Sequence, residues 1–226
     1  MKNASFLSVV VAIVRKDFQA ELRSRELLGS MGLFALLSIL IFSFALELDR
    51  IARTEAISGV LWVTVVFASI IGLNRSMALE RDNGNLDALL IAPIQRTAIY
   101  VGKLVGNFLF TLAIGLLLLP IMTVLYNVSL FNLWLIAILV MGTLGFTTLG
   151  TLLAAMTMQV RAREALLPIV MMPVVLPLLL SGVRASTGIL NAAPQDDWLQ
   201  WTSIVAVLDV IYLVMCFLLF EYVVEE

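Results

Sequence analysis

The sequence contains no histidine, a single cysteine (Cys216) and few charged residues, which make up 13% of its 226 positions. Without histidine, the chain lacks the usual zinc ligand, the usual axial ligand of haem iron and the usual general base. A lone cysteine excludes an internal disulfide and a cysteine metal cluster. The formal net charge of −2 provides no basic surface for nucleic acid. Metal, acid–base and nucleic-acid functions therefore have little support.

Apolar residues are abundant, at 62% of the chain with a mean hydropathy of +1.06. Soluble domains are about 45–50% apolar, so the solvent of this chain must be lipid. A spanning helix needs roughly 20 predominantly apolar residues. Six segments qualify: 27–46, 56–74, two within 104–160, 165–183 and about 201–220. The turn between the third and fourth is predicted at Asn127, Ser129 and Asn132, giving an all-α membrane protein with one transmembrane domain over residues 1–226.

The distribution of lysine and arginine predicts the orientation, because cytoplasmic loops carry the excess of basic residues. Six spans place both termini on one side of the membrane. That side would carry eleven basic residues: Lys2, Arg15, Lys16, Arg23, Arg25, Arg75, Arg81, Arg96, Lys103, Arg161 and Arg163. The opposite side would carry only Arg50, Arg53 and Arg184. Both termini are therefore predicted to be cytoplasmic.

Residues 1–26 show the pattern of a basic amphipathic helix. Apolar residues recur every four positions, at Phe6, Val10, Val14, Phe18 and Leu22. Polar residues occupy another face, at Arg15, Gln19 and Arg23. This pattern predicts a helix lying in the cytoplasmic interface of the bilayer. A simple anchor preceding the first span fits the same residues.

The segment 75–103, between the second and third spans, is longer than a turn requires. Gly84 permits a sharp bend, Asn85 can cap a helix and Pro93 would end it. Between them, an apolar stripe is formed by Leu86, Leu89 and Leu90. A short cytoplasmic helix with such a stripe favours docking on a partner protein. Packing against lipid or against the chain's own helices is the alternative.

At these residues the chain resembles the CcmB family, the B subunit of the cytochrome c maturation system, among the ABC-2-type permeases. The resemblance is carried by ALERDNGNLDALLIAP at 78–93 and RTAIYVGKLVGNFLF at 96–110. It extends to the length of the chain, the six spans and the amphipathic N-terminus. The motif residues are Glu80, Arg81, Gly84, Leu86, Asp87, Leu89, Leu90 and Pro93.

The resemblance implies that this motif contains a coupling helix. Leu86, Leu89, Leu90 and Pro93 would enter a groove on a cytoplasmic ABC ATPase subunit (CcmA-like), with Glu80, Arg81 and Asp87 making polar contacts around it. The sequence has no G-x-x-x-x-G-K-[ST] phosphate-binding loop. ATP and its hydrolysis are therefore expected on that separate subunit, and the chain itself is not expected to be an enzyme.

The resemblance also implies a bacterial inner membrane and a complex that handles haem, with a haem-handling membrane subunit (CcmC-like) as partner, and it allows a homodimer. No cofactor is expected on this chain itself, since it has no histidine to offer haem iron. The complex would export haem or use ATP to release a haem-loaded chaperone. Two alternatives stay open: an ABC-2 permease for a lipid, drug or polysaccharide, and a membrane scaffold without a translocation path.

Three residues outside the motif are candidate functional residues. Asp209 lies within the sixth span, where burying a carboxylate is costly. It has either a structural or interface role or a direct role in transport. On the external side, Trp198 precedes that span and Trp201 is its first residue. They would form part of an aromatic belt or, alternatively, a docking surface for the haem-handling partner.

Overall fold

The computed structural model describes residues 5–45, 50–82, 95–157 and 163–223. For residues 50–55, 81–82, 163–164 and 221–223 it describes the backbone only. Within these ranges the chain forms seven helices. They are α1 (Phe6–Ser24), α2 (Glu26–Ala45), α3 (Arg50–Asp82), α4 (Arg96–Tyr126), α5 (Leu133–Thr157), α6 (Arg163–Leu190) and α7 (Gln195–Val223).

Helices α2 to α7 are each long and apolar enough to cross a membrane, which confirms the predicted six spans. The turn after α4 lies at the predicted residues. Asn127 ends α4 in the left-handed conformation, at φ 52°, and the Asn132 side chain accepts a hydrogen bond from the Trp134 amide at 2.9 Å. Asparagine suits both positions because it tolerates positive φ and caps helix N-termini.

Helices α3 and α6 extend well beyond the C-terminal ends of their predicted spans. Helix α3 continues to Asp82, so that Arg75 and Glu80 lie on a helix and not in a loop. The buried side chains of Met77 and Ala78 explain the extension, since they continue the packed face of α3. Helix α6 continues to Leu190 and includes Arg184, which the sequence had suggested to lie outside the span.

Helix α5 packs against α4, α6 and α7 and forms the centre of the bundle. Small residues permit these close contacts. A methyl group added at Gly150, for example, would collide with Leu73 of α3 and approach Met171 Cε of α6 to 2.8 Å. Buried threonine hydroxyls of α5 donate to carbonyls of their own helix, as Thr147 does to Thr143 at 2.8 Å. Small side chains, and hydroxyls that bond within their own helix, thus let helices in lipid approach closely.

Trp62 of α3 is the largest side chain at the centre of the bundle, with 2% of its surface exposed. Its indole lies against two glycines, Gly142 of α5 and Gly182 of α6. The indole N–H donates a hydrogen bond to the Ser186 hydroxyl of α6 at 3.0 Å. The two glycines therefore create the space for the ring, and the serine satisfies its one polar atom.

Helix α6 runs through its three prolines, Pro168, Pro173 and Pro177, without ending. Pro177 has no N–H to donate to the Pro173 carbonyl. The Tyr212 hydroxyl of α7 donates to the adjacent Val174 carbonyl at 2.7 Å. A neighbouring helix thus donates a hydrogen bond to the carbonyl next to the one that Pro177 leaves free.

Candidate functional site

The end of the bundle near the N-terminus begins with a sharp bend between α1 and α2. Arg25 adopts φ 54° at the bend, and its amide donates to the Glu21 carbonyl at 2.7 Å. The buried Glu21 carboxylate accepts hydrogen bonds from the Leu28 amide at 2.8 Å and the Leu27 amide at 3.2 Å. These amides lie in the first turn of α2, where no intrahelical acceptor exists and a negative charge is favourable. Glu21 therefore fixes how the chain enters the first span.

Glu21→Ala is expected to lower the stability of the folded chain by about 2–3 kcal/mol, because hydrogen bonds to a charged group contribute about 1.5–3 kcal/mol. Thermal unfolding in detergent, followed by circular dichroism, would measure the change. Gln19→Ala, on the exposed side of α1, is the matched control and should leave the midpoint unchanged. Equal midpoints for both variants would contradict the capping role.

Helix α1 packs along α4 through a flat surface made by two glycines. A Cβ atom at Gly102 would lie 2.9 Å from Ile13 Cβ, and one at Gly106 would lie 3.4 Å from Asp17 Oδ2. The predicted amphipathic helix is confirmed as a helix, and the side facing α4 carries Val9, Val10, Ile13, Asp17 and Glu21. Leu22 of the predicted apolar stripe points away from the bundle, with 73% of its surface exposed, and stays available to lipid.

Four charged side chains meet where α1 crosses α3 and α4. Lys103 of α4 donates to both carboxylate oxygens of Asp17 on α1, at 3.0 and 2.9 Å. Lys103 also contacts Oε1 of Glu80 on α3, and Lys16 of α1 donates to the same oxygen at 2.5 Å. Lys16 lies 3.4 Å from Asp17. We call these four residues the ion cluster; its two cations and two anions balance.

The ion cluster is largely shielded from solvent. The exposed fractions of the side chains are 4% for Lys103, 6% for Glu80 and 11% for Asp17, against 40% for Lys16. Burial alone would lower the pKa of Lys16, but its hydrogen bond to Glu80 and its attraction to Asp17 and Glu80 raise it above 10.5. A raised lysine pKa contributes stability that is complete below pH 10.5 and is lost as the pH rises further. At neutral pH Lys16 is therefore charged.

A cavity of about 250 Å³ adjoins the ion cluster. It is lined by Lys16, Asp17, Ala20, Glu21, Ser24, Leu27, Ser76, Leu79, Glu80, Lys103 and Phe110. The second carboxylate oxygen of Glu80, Oε2, is buried and accepts no hydrogen bond. The lining combines apolar and polar residues, and the charged groups at its edge could hydrogen-bond a water molecule or another donor. Within the described ranges, no group of three potential metal-ligating side chains is found.

The coupling motif lies mostly outside the described residues. This applies to Gly84, Leu86, Asp87, Leu89, Leu90 and Pro93. Of Arg81 only the helical backbone is described. Glu80 is described in full, and its Oε1 is occupied by two lysines of its own chain. The coupling role of the motif stays a prediction, with Glu80 placed inside the bundle.

Asp209 lies on α7 with 5% of its surface exposed, in contact with Gly145 of α5. A methyl group at Gly145 would collide with Asp209 Oδ1, and it would lie 3.1 Å from Leu178 of α6. Oδ1 has no hydrogen-bond partner. The carboxyl group is therefore packed between three helices at a position that only glycine on α5 permits.

The two tryptophans that the sequence predicts on the external side differ in environment. Trp198 is 7% exposed, packs on Gly188 of α6 and places its ring 5.2 Å from that of Trp134. Trp201 is 38% exposed. Of the two predicted docking residues, Trp201 has the ring that a partner or a lipid headgroup could contact.

Asp17, Glu21, Lys103 and Gly145 form sites that sequence reasoning did not single out. The first two had a detectable signal, since two acids four residues apart in an apolar helix lie on one face. Lys103 lies between Gly102 and Gly106. A cation between two small residues on a packed helix face needs a counter-charge from the helix that packs there.

Comparison with known proteins shows the family of the chain. The model of the CcmB protein family matches residues 8–224, from α1 to beyond the end of α7. A protein of Rhodobacter capsulatus, named "Heme exporter protein B", is 28% identical over 174 residues, covering 76% of this chain and 80% of its own. Proteins of the same name from Paracoccus denitrificans and Haemophilus influenzae are each 26% identical, over 77% and 80% of this chain and 80% and 83% of theirs. The chain belongs to the CcmB family.

Proposed function

We propose that this chain is the membrane permease subunit of an ABC exporter that acts in cytochrome c maturation, with haem as the cargo of the complex. The observation that carries the proposal is the family match across α1 and all six spans. The relatives named above are each a "Heme exporter protein B". A multi-pass bacterial membrane protein built from six apolar helices suits this role.

The proposal includes a separate ATPase subunit on the cytoplasmic side. The absence of a phosphate-binding loop from the sequence supports it. The coupling helix would use Leu86, Leu89, Leu90 and Pro93 for the groove of that subunit, with Arg81 and Asp87 at the rim. Glu80 would act differently from its first interpretation: it would anchor the motif from inside the bundle, since its Oε1 is occupied by Lys16 and Lys103.

Haem would be handled mainly by a partner membrane subunit. Lacking histidine, this chain does not offer the commonest ligand of haem iron. This favours ATP-driven release of a haem-loaded chaperone over passage of haem between the spans. Trp201 is the candidate contact for that partner, and Asp209 is the candidate intramembrane group. The proposal places both termini in the cytoplasm and allows two copies of the chain in the complex.

The test is complementation of a bacterium from which its own CcmB-family gene has been deleted. Expression of this chain should restore covalently bound haem in c-type cytochromes, measured by peroxidase staining and by reduced-minus-oxidised spectra of membranes. An ATPase subunit unable to hydrolyse ATP should abolish the restored signal. Restoration that survives this ATPase variant would favour a scaffold, whereas failure of the wild-type chain to restore any signal would defeat the proposal.

Asp87→Lys is expected to weaken co-purification of the ATPase subunit by about tenfold, because reversing a charge at an interface typically costs more than 1.4 kcal/mol. The reason is the proposed contact between the coupling helix and the ATPase groove. Pull-down of the tagged chain from solubilised membranes would measure the association. Asp196→Lys, at the opposite end of the bundle on α7, is the matched charge reversal and should leave association intact; equal loss in both would contradict the coupling assignment.

A further inference from the structure

The ion cluster connects three elements that are far apart in the sequence. Glu80 lies in the last turn of α3, and Lys103 lies near the start of α4. These two residues therefore flank the segment 83–94 on its two sides. Lys16 and Asp17 belong to α1. Because each lysine and each acid contacts a residue of another helix, the helices on both sides of the segment are joined to α1.

The ion cluster fixes geometry more than it adds stability. Removing charges from water is costly, and an apolar group of the same volume is often as stabilising as a buried ion pair. Directional bonds, however, specify a single register. Lys103 donates to both oxygens of Asp17 at nearly equal distances, 3.0 and 2.9 Å, and also contacts Glu80. Sliding α1 along α4 by one residue would break these bonds together.

The packing around the ion cluster is tight on one side and open on the other. Ile13 lies directly over Gly102, and the rings of Phe18 and Phe110 are 4.8 Å apart, so that α1 and α4 make close contact along their length. The cavity of about 250 Å³ lies between α1 and the end of α3, beside the unpartnered Oε2 of Glu80. On this side the ion pair of Lys16 and Glu80 joins α1 to α3.

We propose that Lys103, Asp17 and Lys16 are positioning residues of ATP coupling: with Glu80 they fasten α1 to the end of α3 and to the first turns of α4, the two helices that flank the segment 83–94, so that α1 moves with these two helix ends as one body. The inference rests on the proposed function, in which that segment receives the motion of the ATPase. It makes the N-terminal helix part of the moving unit and not a passive membrane anchor.

A charge-balanced double variant separates positioning from folding. Glu80→Gln or Lys103→Met alone leaves a buried charge without its partner, and each should lower the amount of folded protein. The double variant E80Q/K103M removes one charge of each sign and keeps the pair of Lys16 and Asp17. It should therefore accumulate and bind the ATPase as the wild type does. Its covalent haem attachment should nevertheless fall at least about tenfold, as expected when a coupling free energy is lost.

The measurements use the full complex in membranes of the complementing strain. They are the amount of the chain, co-purified ATPase, kcat and KM of ATP hydrolysis, and covalent haem in c-type cytochromes. The expected signature is ATP hydrolysis without haem attachment. Lys103→Arg keeps the charge and should retain most activity, and Arg23→Gln, on the exposed side of α1, should behave as wild type. Wild-type haem attachment in the folded double variant would overturn the proposal.

A covalent tether provides a second test that does not depend on the double variant. A Cβ atom at Gly106 would lie 4.0 Å from Asp17 Cβ, within the range of about 3.5–4.5 Å for disulfides. Asp17→Cys leaves one lysine of the ion cluster without its counter-charge, so activity is compared per amount of folded complex; alone, the variant should reduce the ATP-driven activity of the reconstituted complex. The oxidised pair D17C/G106C should regain it and lose it again on reduction, whereas Gly106→Cys alone should not respond to oxidation. An oxidised pair that stays as impaired as Asp17→Cys would contradict motion as one body.

Failure of the inference is distinguishable from failure of the proposed function. If the wild-type chain does not restore haem attachment, the function is wrong. The positioning role alone is wrong if the wild-type chain restores haem attachment, the double variant also supports it, and the oxidised pair stays as impaired as Asp17→Cys.

Discussion

Trp62→Ala is expected to leave little folded protein, with a loss of about 3–5 kcal/mol in the free energy of unfolding, the range found for large aromatic truncations in packed cores. The ring is 2% exposed and lies between Gly142 and Gly182. Two glycines offer no side chains that could close the space left by the ring. The Ser186 hydroxyl would also lose the indole N–H that donates to it.

Unfolding with sodium dodecyl sulfate, followed by far-ultraviolet circular dichroism, would measure the Trp62 effect. Trp201→Ala, which removes a ring that is 38% exposed, is the matched control and should cost less than about 1 kcal/mol. Trp62→Phe fills part of the space and should lie between the two. Similar stability of the Trp62→Ala and Trp201→Ala variants would refute the central role of the indole.

Gly145→Ala is expected to destabilise the bundle by about 2–3 kcal/mol, the upper part of the range for overpacking by one methyl group. The new Cβ would collide with Asp209 Oδ1 and approach Leu178. In an exposed helix the same change would instead stabilise, by about 1 kcal/mol, because alanine is the better helix former. The sign of the effect therefore reports the contact.

The double variant Gly145→Ala/Asp209→Ala should recover most of this loss, because shortening Asp209 removes the atom that the methyl group meets. The free energies of unfolding in detergent of wild type, the two single variants and the double variant form a double-mutant cycle. Gly59→Ala, at a position with nothing within 4 Å of the added Cβ, is the control and should be neutral or stabilising. Additive effects in the cycle would show that Gly145 and Asp209 do not interact.

The spans and their turn could be predicted because they depend on local properties. Twenty apolar residues satisfy the thickness of the bilayer whatever their partners are. Asn127 and Asn132 act through their own backbone and side chain at the helix ends. The N-terminal helix was predictable for the same reason, since its periodicity is contained in one segment.

The ion cluster could not be predicted because its members meet only through tertiary packing. Glu80 was assigned to the segment between two spans, and Lys103 to a helix that leads into the third span; that both side chains are buried follows only from how α1, α3 and α4 pack. The separation of Asp17 from Lys103 is 86 residues. The contact of Asp209 with Gly145 could not be predicted either. Hydropathy shows that an acid lies within a span, but it does not show which residue of another helix faces that acid.

The pairing of Asp17 with Lys103 also has a consequence for biogenesis. The ribosome delivers α1 before α4, so Asp17 lacks its Lys103 partner until the start of α4 has been synthesised. In the interval, α1 is a basic, amphipathic segment that can lie at the membrane surface. Docking of α1 on α4 therefore follows the synthesis of the first two spans and of the start of the third.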